Sequence, residues 1–385
     1  MKVIVCQFGA RHRYAIPEIL YQNGIDVLLY TDSCHFSLLG RLARYCTFLP
    51  IDGIRNLAQR IVHLPPERVK CSDAVLLHNK NRDNTGKHKL LSKRMIQWGV
   101  QGADIVYSMY DESLDFLRFA KEQHLKIVVD AFISPLAEYL EFRAYHDPNA
   151  KLDDFRNAEL DECFHIADRI TCPSQFVADG IAQLYPQYGS KIRICPYGTS
   201  INGSPQANIP QKGRFFWAGY TCYRKGLHLF ADAAAEVKKH YPEAEFLAAG
   251  ITDQELCKDP RFANINFLGK LPAVGMREQF LIADAFVLPT IAEGMASVCV
   301  EAMSVGCPLI VPPSAGIDQE GKTFPGILLA ELSASAVAQA MIRFIENPHL
   351  RQTFSEQALL QSSRYSAQNW SQRLQKIFSE LLEQS

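Results

Sequence analysis

The segment "TIAEGMASVCVEAMSVGCPLIVPPSAG", residues 290–316, decides how the chain is read. It holds two acids, Glu293 and Glu301, among apolar, small, Gly and Pro residues. A buried carboxylate is costly unless it is paired or hydrogen-bonded. On one continuous helix the two acids would sit roughly 80° apart around the axis, too poorly aligned for one small site. A strand–loop–helix fits better. The run "DAFVLPT" (284–290) reads as a strand, Glu293 falls in the loop after it, and a short helix starts near Ser297, whose hydroxyl can cap it. Glu301 then lies in the first turns, and Gly306 with Pro308 ends the helix. The amides of Ala296, Ser297 and Val298 would point into a cleft as an anion site. Carboxylates accept hydrogen bonds from vicinal sugar hydroxyls. Taken alone, Glu301 reads equally well as an acid favoured by the helix dipole.

Outward from this segment, short apolar runs alternate with helical patterns. Residues 2–8, 25–32, 103–110, 125–134, 167–174 and 191–198 read as strands, as do 214–219, 244–250, 265–270 and 308–313. They are continuous and β-branched rather than alternating, the pattern of parallel strands buried on both faces. Strands interleaved with helices predict doubly wound α/β domains. The Pro/Gly/Asn/Ser-rich stretch at 199–213 interrupts the pattern and reads as a linker, placed at 201–211, between domains 1–200 and 212–365. Ligands of such sheets bind beyond the carboxyl ends of the strands. Gly9, Asp111, Asp130, Tyr220 and Glu293 all follow strands.

Composition narrows the classes. The chain has 385 residues with 40 Lys+Arg against 41 Asp+Glu, so no global field attracts nucleic acid. Its eleven cysteines form no C-x-x-C pair, which suggests reduced thiols in the cytosol. The N-terminus reads as a strand rather than a signal peptide. No apolar run approaches the ~18 residues of a membrane span. No D-x-D, G-x-G-x-x-G or Walker A pattern occurs, which argues against a metal-chelated diphosphate, a dinucleotide dehydrogenase and a P-loop enzyme.

Further groups qualify as candidates. In "WAGYTCYRKGLHLF" (217–230), Arg224 and Lys225 precede Gly226 at a helix start, which suits a phosphate. A solvated pair at a turn is the commoner explanation. His12 and Arg13 follow Gly9 and are acceptor or phosphate contacts by position. Asp111 and Glu112 are similar candidates, although acids at a strand end often cap the next helix. His228 reads as structural. Trp370 reads as the anchor of the last helix. The basic stretch "KNRDNTGKHKLLSKR" (80–94) would suit an anionic membrane or a phosphorylated lipid, but a solvated face explains it better.

The segments "FFWAGYTCYRKGLHLF" and "INFLGKLPAVGMREQFLIADAFVLPTIAEGMASVCVEAMSVGCPLIV" resemble the retaining glycosyltransferases of the GT-B fold that carry an E-x7-E motif, family 4 of the glycosyltransferases. "ITCPSQFVADGI" and "ICPYGTSI" are similar to elements that the family places before its linker. The resemblance implies two Rossmann-like domains around a cleft, with the helix at 366–385 crossing back to the first. It implies a nucleotide-sugar donor, UDP- or GDP-linked, a sugar or lipid-linked acceptor, no cofactor, no metal and no nucleic-acid partner. The setting would be cytoplasmic, with peripheral membrane contact allowed. Glu293 would hold donor-sugar hydroxyls and Glu301 the ribose. Lys225 would neutralise the diphosphate, helped by amides from Met295 to Val298. Gly9 would admit the phosphate or sugar, and Gly269 in "FLGK" would pass the base. Two departures stand out. Tyr220 occupies a position where the family commonly has Arg, with Arg224 as a substitute. Asp130, Ala131 and Phe132 occupy a loop where many members have His. Asp130 would then touch a sugar hydroxyl; otherwise the donor pose differs or activity is lost. A non-catalytic nucleotide-sugar binder, an epimerase and a phosphorylase of the same fold are the alternatives.

Overall fold

The computed structural model describes residues 1–49, 51–77, 84–110, 112–199, 208–318 and 324–383. Two separate parallel sheets organise them. The first contains β1 (Lys2–Gln7), β2 (Asp26–Thr31), β3 (Val69–Cys71), β4 (Ile105–Met109), β5 (Lys126–Asp130), β6 (Arg169–Cys172) and β7 (Ile192–Ile194), in the order β3-β2-β1-β4-β5-β6-β7. The second contains β8 (Arg214–Ala218), β9 (Glu245–Ala249), β10 (Asn266–Gly269), β11 (Ala285–Val287), β12 (Leu309–Val311) and β13 (Gly326–Leu328), in the order β10-β9-β8-β11-β12-β13. Every pairing is parallel. In each sheet the strand order reverses beside the first strand, between β1 and β4 and between β8 and β11. These switch points open crevices at the carboxyl ends of the strands.

The continuous apolar runs are buried as expected. Val3, Ile4, Val5 and Cys6 of β1 are all inaccessible, and so are Ala285, Phe286 and Val287 of β11. Helices cover both faces of each sheet, so both sides of a strand must be apolar. Two strands escaped the sequence reading, β3 ("VKC") and β13 ("GIL"). Both are three-residue edge strands, paired on one side only.

The last helix, Ala367–Glu383, packs on helix Ala15–Gln22 of the first domain. It buries Trp370, Leu374, Ile377, Phe378 and Leu381, a stripe at helical spacing. Trp370 lies against the rings of His12 (5.6 Å) and Tyr197 (5.2 Å), and Phe378 against Tyr107 (6.0 Å). A single apolar core therefore runs from the second domain through this helix to one face of the first sheet. Most of the expected linker lies outside the described residues. Its end is docked: Ile209 and Gln211 donate backbone hydrogen bonds to Leu281 and Ile282 (both 2.8 Å).

The domains also touch across the cleft. The Ser174 hydroxyl donates to the Gly294 carbonyl (2.6 Å). The amide of Gln175 donates to both carboxylate oxygens of Asp318 (3.1 Å each). A Cβ on Gly294 would stand 1.7 Å from the carbonyl oxygen of Phe132, so the approach requires glycine. The Tyr145 hydroxyl reaches the Tyr223 carbonyl (3.2 Å) and His228 Nε2 (3.0 Å), which gives His228 a role in domain contact.

Candidate functional site

A cavity of about 360 Å³ lies at the switch point of the second sheet, faced by the loop after β1. That volume falls in the range of small-molecule sites. Its wall includes Gly219, Tyr220, Lys225, Gly250, Lys270 and the run Glu293, Met295, Ala296, Ser297, Val298 and Glu301, with Arg13 from the first domain. The chain thus brings together residues some 290 positions apart, from Arg13 to Glu301.

The loops after β8 and β11 are stitched to each other. The Trp217 indole donates to the Lys225 carbonyl (2.9 Å). The Ile291 amide donates to the Arg224 carbonyl (2.9 Å), and the Thr290 hydroxyl shares its one proton between that carbonyl (2.9 Å) and Glu293 Oε1 (3.1 Å). Gly226 has φ +71°, and a Cβ there would lie 1.9 Å from the Pro289 carbonyl oxygen. Only glycine allows the helix Leu227–Lys238 to start this close to the neighbouring loop.

This stitching places three donors on one oxygen of Glu293. Lys225 Nζ lies 2.7 Å from Oε1, Arg224 Nη1 2.9 Å and Thr290 Oγ1 3.1 Å. Among the described residues no donor reaches Oε2. Glu293 is buried, so this pairing is what makes its charge tolerable. Arg224 also donates to the Ala292 carbonyl (2.9 Å) and does not line the cavity. It staples the loop instead of facing a ligand as a replacement for the Arg absent at Tyr220. Tyr220 itself is 78% exposed on the rim.

The acid-bearing helix is Ser297–Met303, and here the capping expectation is corrected. Ala296 is the N-cap, with no side-chain cap, and Ser297 is the first helical residue. The Ala296 amide donates to the Ala315 carbonyl (3.0 Å), so it is not free for an anion. Ser297 and Val298 open the helix, and such N–H groups have no acceptor within it. Glu301 stands exposed at the cavity mouth. Crowding by the cavity walls raises its pKa above the ordinary carboxylate value, with the Arg13 cation opposing. Gly269 ends β10 with φ +65° and accepts from the Gly250 amide (2.7 Å). The next residue, Lys270, is the one on the cavity wall. Sequence reasoning missed it; a cation directly after a strand end is the signal that could have marked it.

The first-domain wall differs from expectation. Gly9 (φ +71°) is not on the cavity; its amide donates to Asp32 Oδ1 (3.0 Å), and Asp32 pairs with Arg60 (2.7 Å). Beyond it, His12, Arg13 and Tyr14 are consecutive non-glycine residues at φ +47°, +52° and +63°. Such conformers cost on the order of 1–2 kcal/mol each and persist where the surroundings impose them. Here Tyr14 is fully buried, Gln7 Nε2 donates to the carbonyls of Gly9 (3.0 Å) and Arg11 (2.9 Å), and the His12 ring rests on Tyr197 (4.5 Å). The outcome is Arg13 on the cavity wall. Packing of the His12 ring lowers its pKa to about 4, with Arg11 adding to the shift.

Asp130 is corrected as a cleft residue. It is buried, away from the cavity, and its carboxylate is claimed by the hydroxyls of Thr171 (2.9 Å to Oδ1) and Tyr197 (2.8 Å to Oδ2). Burial pushes its pKa up to about 6, against the pull of these hydrogen bonds and of Arg11. Phe132, in the same loop, stacks on Tyr110 (4.8 Å) beneath the Arg11 guanidinium (3.9 Å). Asp111 lies outside the described residues.

The fold this site sits in is GT-B. Sucrose-phosphate synthase from Thermosynechococcus elongatus superposes with a TM-score of 0.72 at 15% identity, over 100% of both chains. Anabaena HepE, solved with UDP and glucose, gives 0.68 at 14% identity, over 99% of this chain and 100% of that one. Within the chain, residues 212–347 match the family model "Glycosyl transferases group 1". Among curated proteins, the putative teichuronic acid biosynthesis glycosyltransferase TuaC of Bacillus subtilis is 27% identical over 128 residues, 33% of this chain and 32% of TuaC. The phosphatidyl-myo-inositol mannosyltransferase of Mycobacterium tuberculosis is 25% identical over 181 residues, 43% of this chain and 48% of that protein. The chain's matches thus span about a third to a half of these relatives' length.

Proposed function

We propose that the chain is a glycosyltransferase that moves a hexosyl group from a nucleotide sugar to a glycan, lipid-linked or small-molecule acceptor, in glycan assembly. The observation that carries this reading is Glu293: a carboxylate fixed through Oε1 by Lys225, Arg224 and Thr290, with Oε2 left for a ligand on a cavity wall. In this reading Oε2 accepts hydroxyls of the donor sugar. Lys225, Arg13 and Lys270 supply positive charge for the diphosphate, with the N–H groups of Ser297 and Val298 as further donors. Glu301 accepts the vicinal hydroxyls of the ribose, and Tyr220 and the Gly269 strand end flank the base. Met295 and Ala296 keep the floor small and apolar. Arg224 is a positioning residue. The family match of the second domain and the glycosyltransferase relatives support the reading, as do GT-B neighbours solved with UDP and with UDP-glucose.

Transfer is proposed to proceed with retention and without a metal. The departing diphosphate, held by cations and amides, takes the acceptor proton on the face where the new bond forms. The transition state carries oxocarbenium-like charge, which Glu293 and the phosphate stabilise. The acceptor enters along the first-domain wall at His12 and Arg13.

The test offers UDP- and GDP-sugars with a panel of acceptors, following nucleoside diphosphate release and the anomeric configuration of the product. Acceptor-dependent release with a retained anomeric centre, unaffected by chelator, is expected. Tight donor binding without release for any acceptor would replace this reading with that of a non-catalytic nucleotide-sugar binder.

A further inference from the structure

The helix Leu38–Tyr45, which follows β2, is inverted relative to an ordinary surface helix. Its inward face carries small residues, Gly40 and Ala43; a Cβ on Gly40 would stand 1.9 Å from the Cys34 carbonyl oxygen. Its outward face carries the large apolar ones. Leu38 is 70% exposed and Tyr45 83%, with exposed Leu42 between them at i+4 and i+7 spacing. Phe48, just past the helix, is 76% exposed. Arg41 and Arg44, both exposed, flank the stripe. No acid occurs between Asp32 and Asp52 in the sequence, and the Asp73 carboxylate lies at the helix start, where it accepts from the Leu39 amide (2.9 Å).

We propose that this face docks on the surface of an anionic lipid bilayer. An apolar stripe bordered by cations matches the layering of such a surface. Leucine, tyrosine and phenylalanine enter the boundary of the acyl chains, and guanidinium groups meet the headgroup phosphates. A protein partner fits less well. A standard interface buries about 800 Å² per side, whereas this helix is only about 12 Å long. The basic segment near residue 90 is not the docking face. Residues 80–83 lie outside the described ones, and on helix Asn84–Trp98 no large apolar side chain is exposed beside Lys89, Lys93 and Arg94.

The placement carries a consequence for the site. The helix follows the carboxyl end of β2, on the edge of the first sheet that faces the cleft, and starts six residues after Asp32, the buried residue that holds the Gly9 amide and Arg60. A bilayer at this face therefore borders the first-domain side of the cleft. Docking stands whatever the activity; only delivery of a lipid-linked acceptor from that bilayer rests on the glycosyl-transfer reading.

The experiment is co-sedimentation of the full chain with phosphatidylcholine vesicles, with and without phosphatidylglycerol. Binding to the anionic vesicles is expected, lost at high salt. Arg41→Ser with Arg44→Ser should lower the partition coefficient by about 30-fold, from the contribution of each Arg near an anionic surface. Leu42→Ser with Phe48→Ser should lower it at least about tenfold through lost apolar burial. Unchanged melting temperatures would show that both variants fold. Failure to bind anionic vesicles, or binding indifferent to both pairs of substitutions, overturns the proposal. So does a concentration-dependent dimer that the same substitutions dissolve while vesicle binding stays absent or unaltered.

Discussion

Glu293 and Asp130 are the acids that position at a strand end nominates in the two halves of the molecule, one beyond β11 and one at the end of β5. Each is an acid at or just beyond the carboxyl end of a central strand, and each qualifies by position as a cleft residue. Their surroundings differ. Glu293 meets two cations and a hydroxyl on one oxygen, at a cavity wall. Asp130 meets hydroxyls on both oxygens, inside the first domain, and among the described residues no cation hydrogen-bonds to it. Cations fix a carboxylate oxygen in place and offset the cost of burying its charge; an enclosure without them favours the proton, as at Asp130. Position after a strand therefore nominates an acid, and the partners decide what it does. Asp130 supports the wall indirectly, through Tyr197 to the His12 ring and the strained loop that presents Arg13.

The contrast can be broken at Glu293 first. Glu293→Gln keeps the shape and removes the charge. Transfer should fall by roughly 10²–10³-fold, the scale of losing one preorganised electrostatic contact. Lys225 and Arg224 then lose their shared partner, so the melting temperature should fall as well, and transfer is compared at a temperature where the variant is folded. Wild-type turnover in a folded Gln variant would take Glu293 out of the reaction.

Asp130 offers an effect of about 3 kcal/mol, read in stability rather than rate. Its folded pKa of about 6 exceeds the ordinary 3.8, so between those values the native state holds a proton that the unfolded chain releases. Stability contributed by this proton is present at low pH. It is lost as pH rises through the window, about 1.4 kcal/mol per unit. Asp130→Asn lacks this loss, so the stability of the variant relative to wild type should grow from pH 4 to pH 6 and then level off. His12, held at about 4, has the opposite sign, since its neutral native form gains stability as pH rises; it is common to both proteins and cancels in the difference. Denaturant melts across that range are the measurement. A flat difference, or a loss of transfer matching that of Glu293→Gln, would erase the distinction between the two acids.

Smaller effects sharpen the second-domain side. Lys225→Ala should weaken nucleoside diphosphate binding about tenfold or more by calorimetry, the scale of a charge-assisted hydrogen bond. Unaltered affinity would leave Lys225 as a partner of Glu293 alone. Tyr220→Ala, at the exposed rim, should change donor affinity by only a few-fold. A loss as large as that of Lys225→Ala would make the rim tyrosine a principal contact.

Much of this was legible in the residues. Eleven strands announce themselves by apolar runs, because a strand covered on both faces must be apolar throughout. β3 ("VKC") and β13 ("GIL") do not, because a lysine or a glycine within only three residues leaves no continuous β-branched run, unlike the equally short edge strand β7 ("IRI") at the start of a longer extended stretch. The acidic segment, with its loop and short helix, was legible for the same reason: two acids amid small and apolar residues require a purpose. Ser297 misled because a serine at a helix start normally caps, whereas here the bend at Ala296 is held by the Ala315 carbonyl. The inverted helix at Leu38–Tyr45 gave no signal, since periodicity marks an apolar face without saying which way it points.

By itself the sequence determined two parallel sheets, their buried strands, the strand–loop–helix bearing Glu293 and Glu301, and Trp370 as an anchor. These follow from local rules, in which burial and turn chemistry act over a few residues. Tertiary structure alone decided which charges meet. It set Lys225 and Arg224 on one oxygen of Glu293, enclosed Asp130 in hydroxyls, and aimed Arg13 across the cleft at Glu301's side of the cavity. Electrostatic partnership depends on distances of a few ångströms between residues far apart in the chain, and no local pattern encodes those distances.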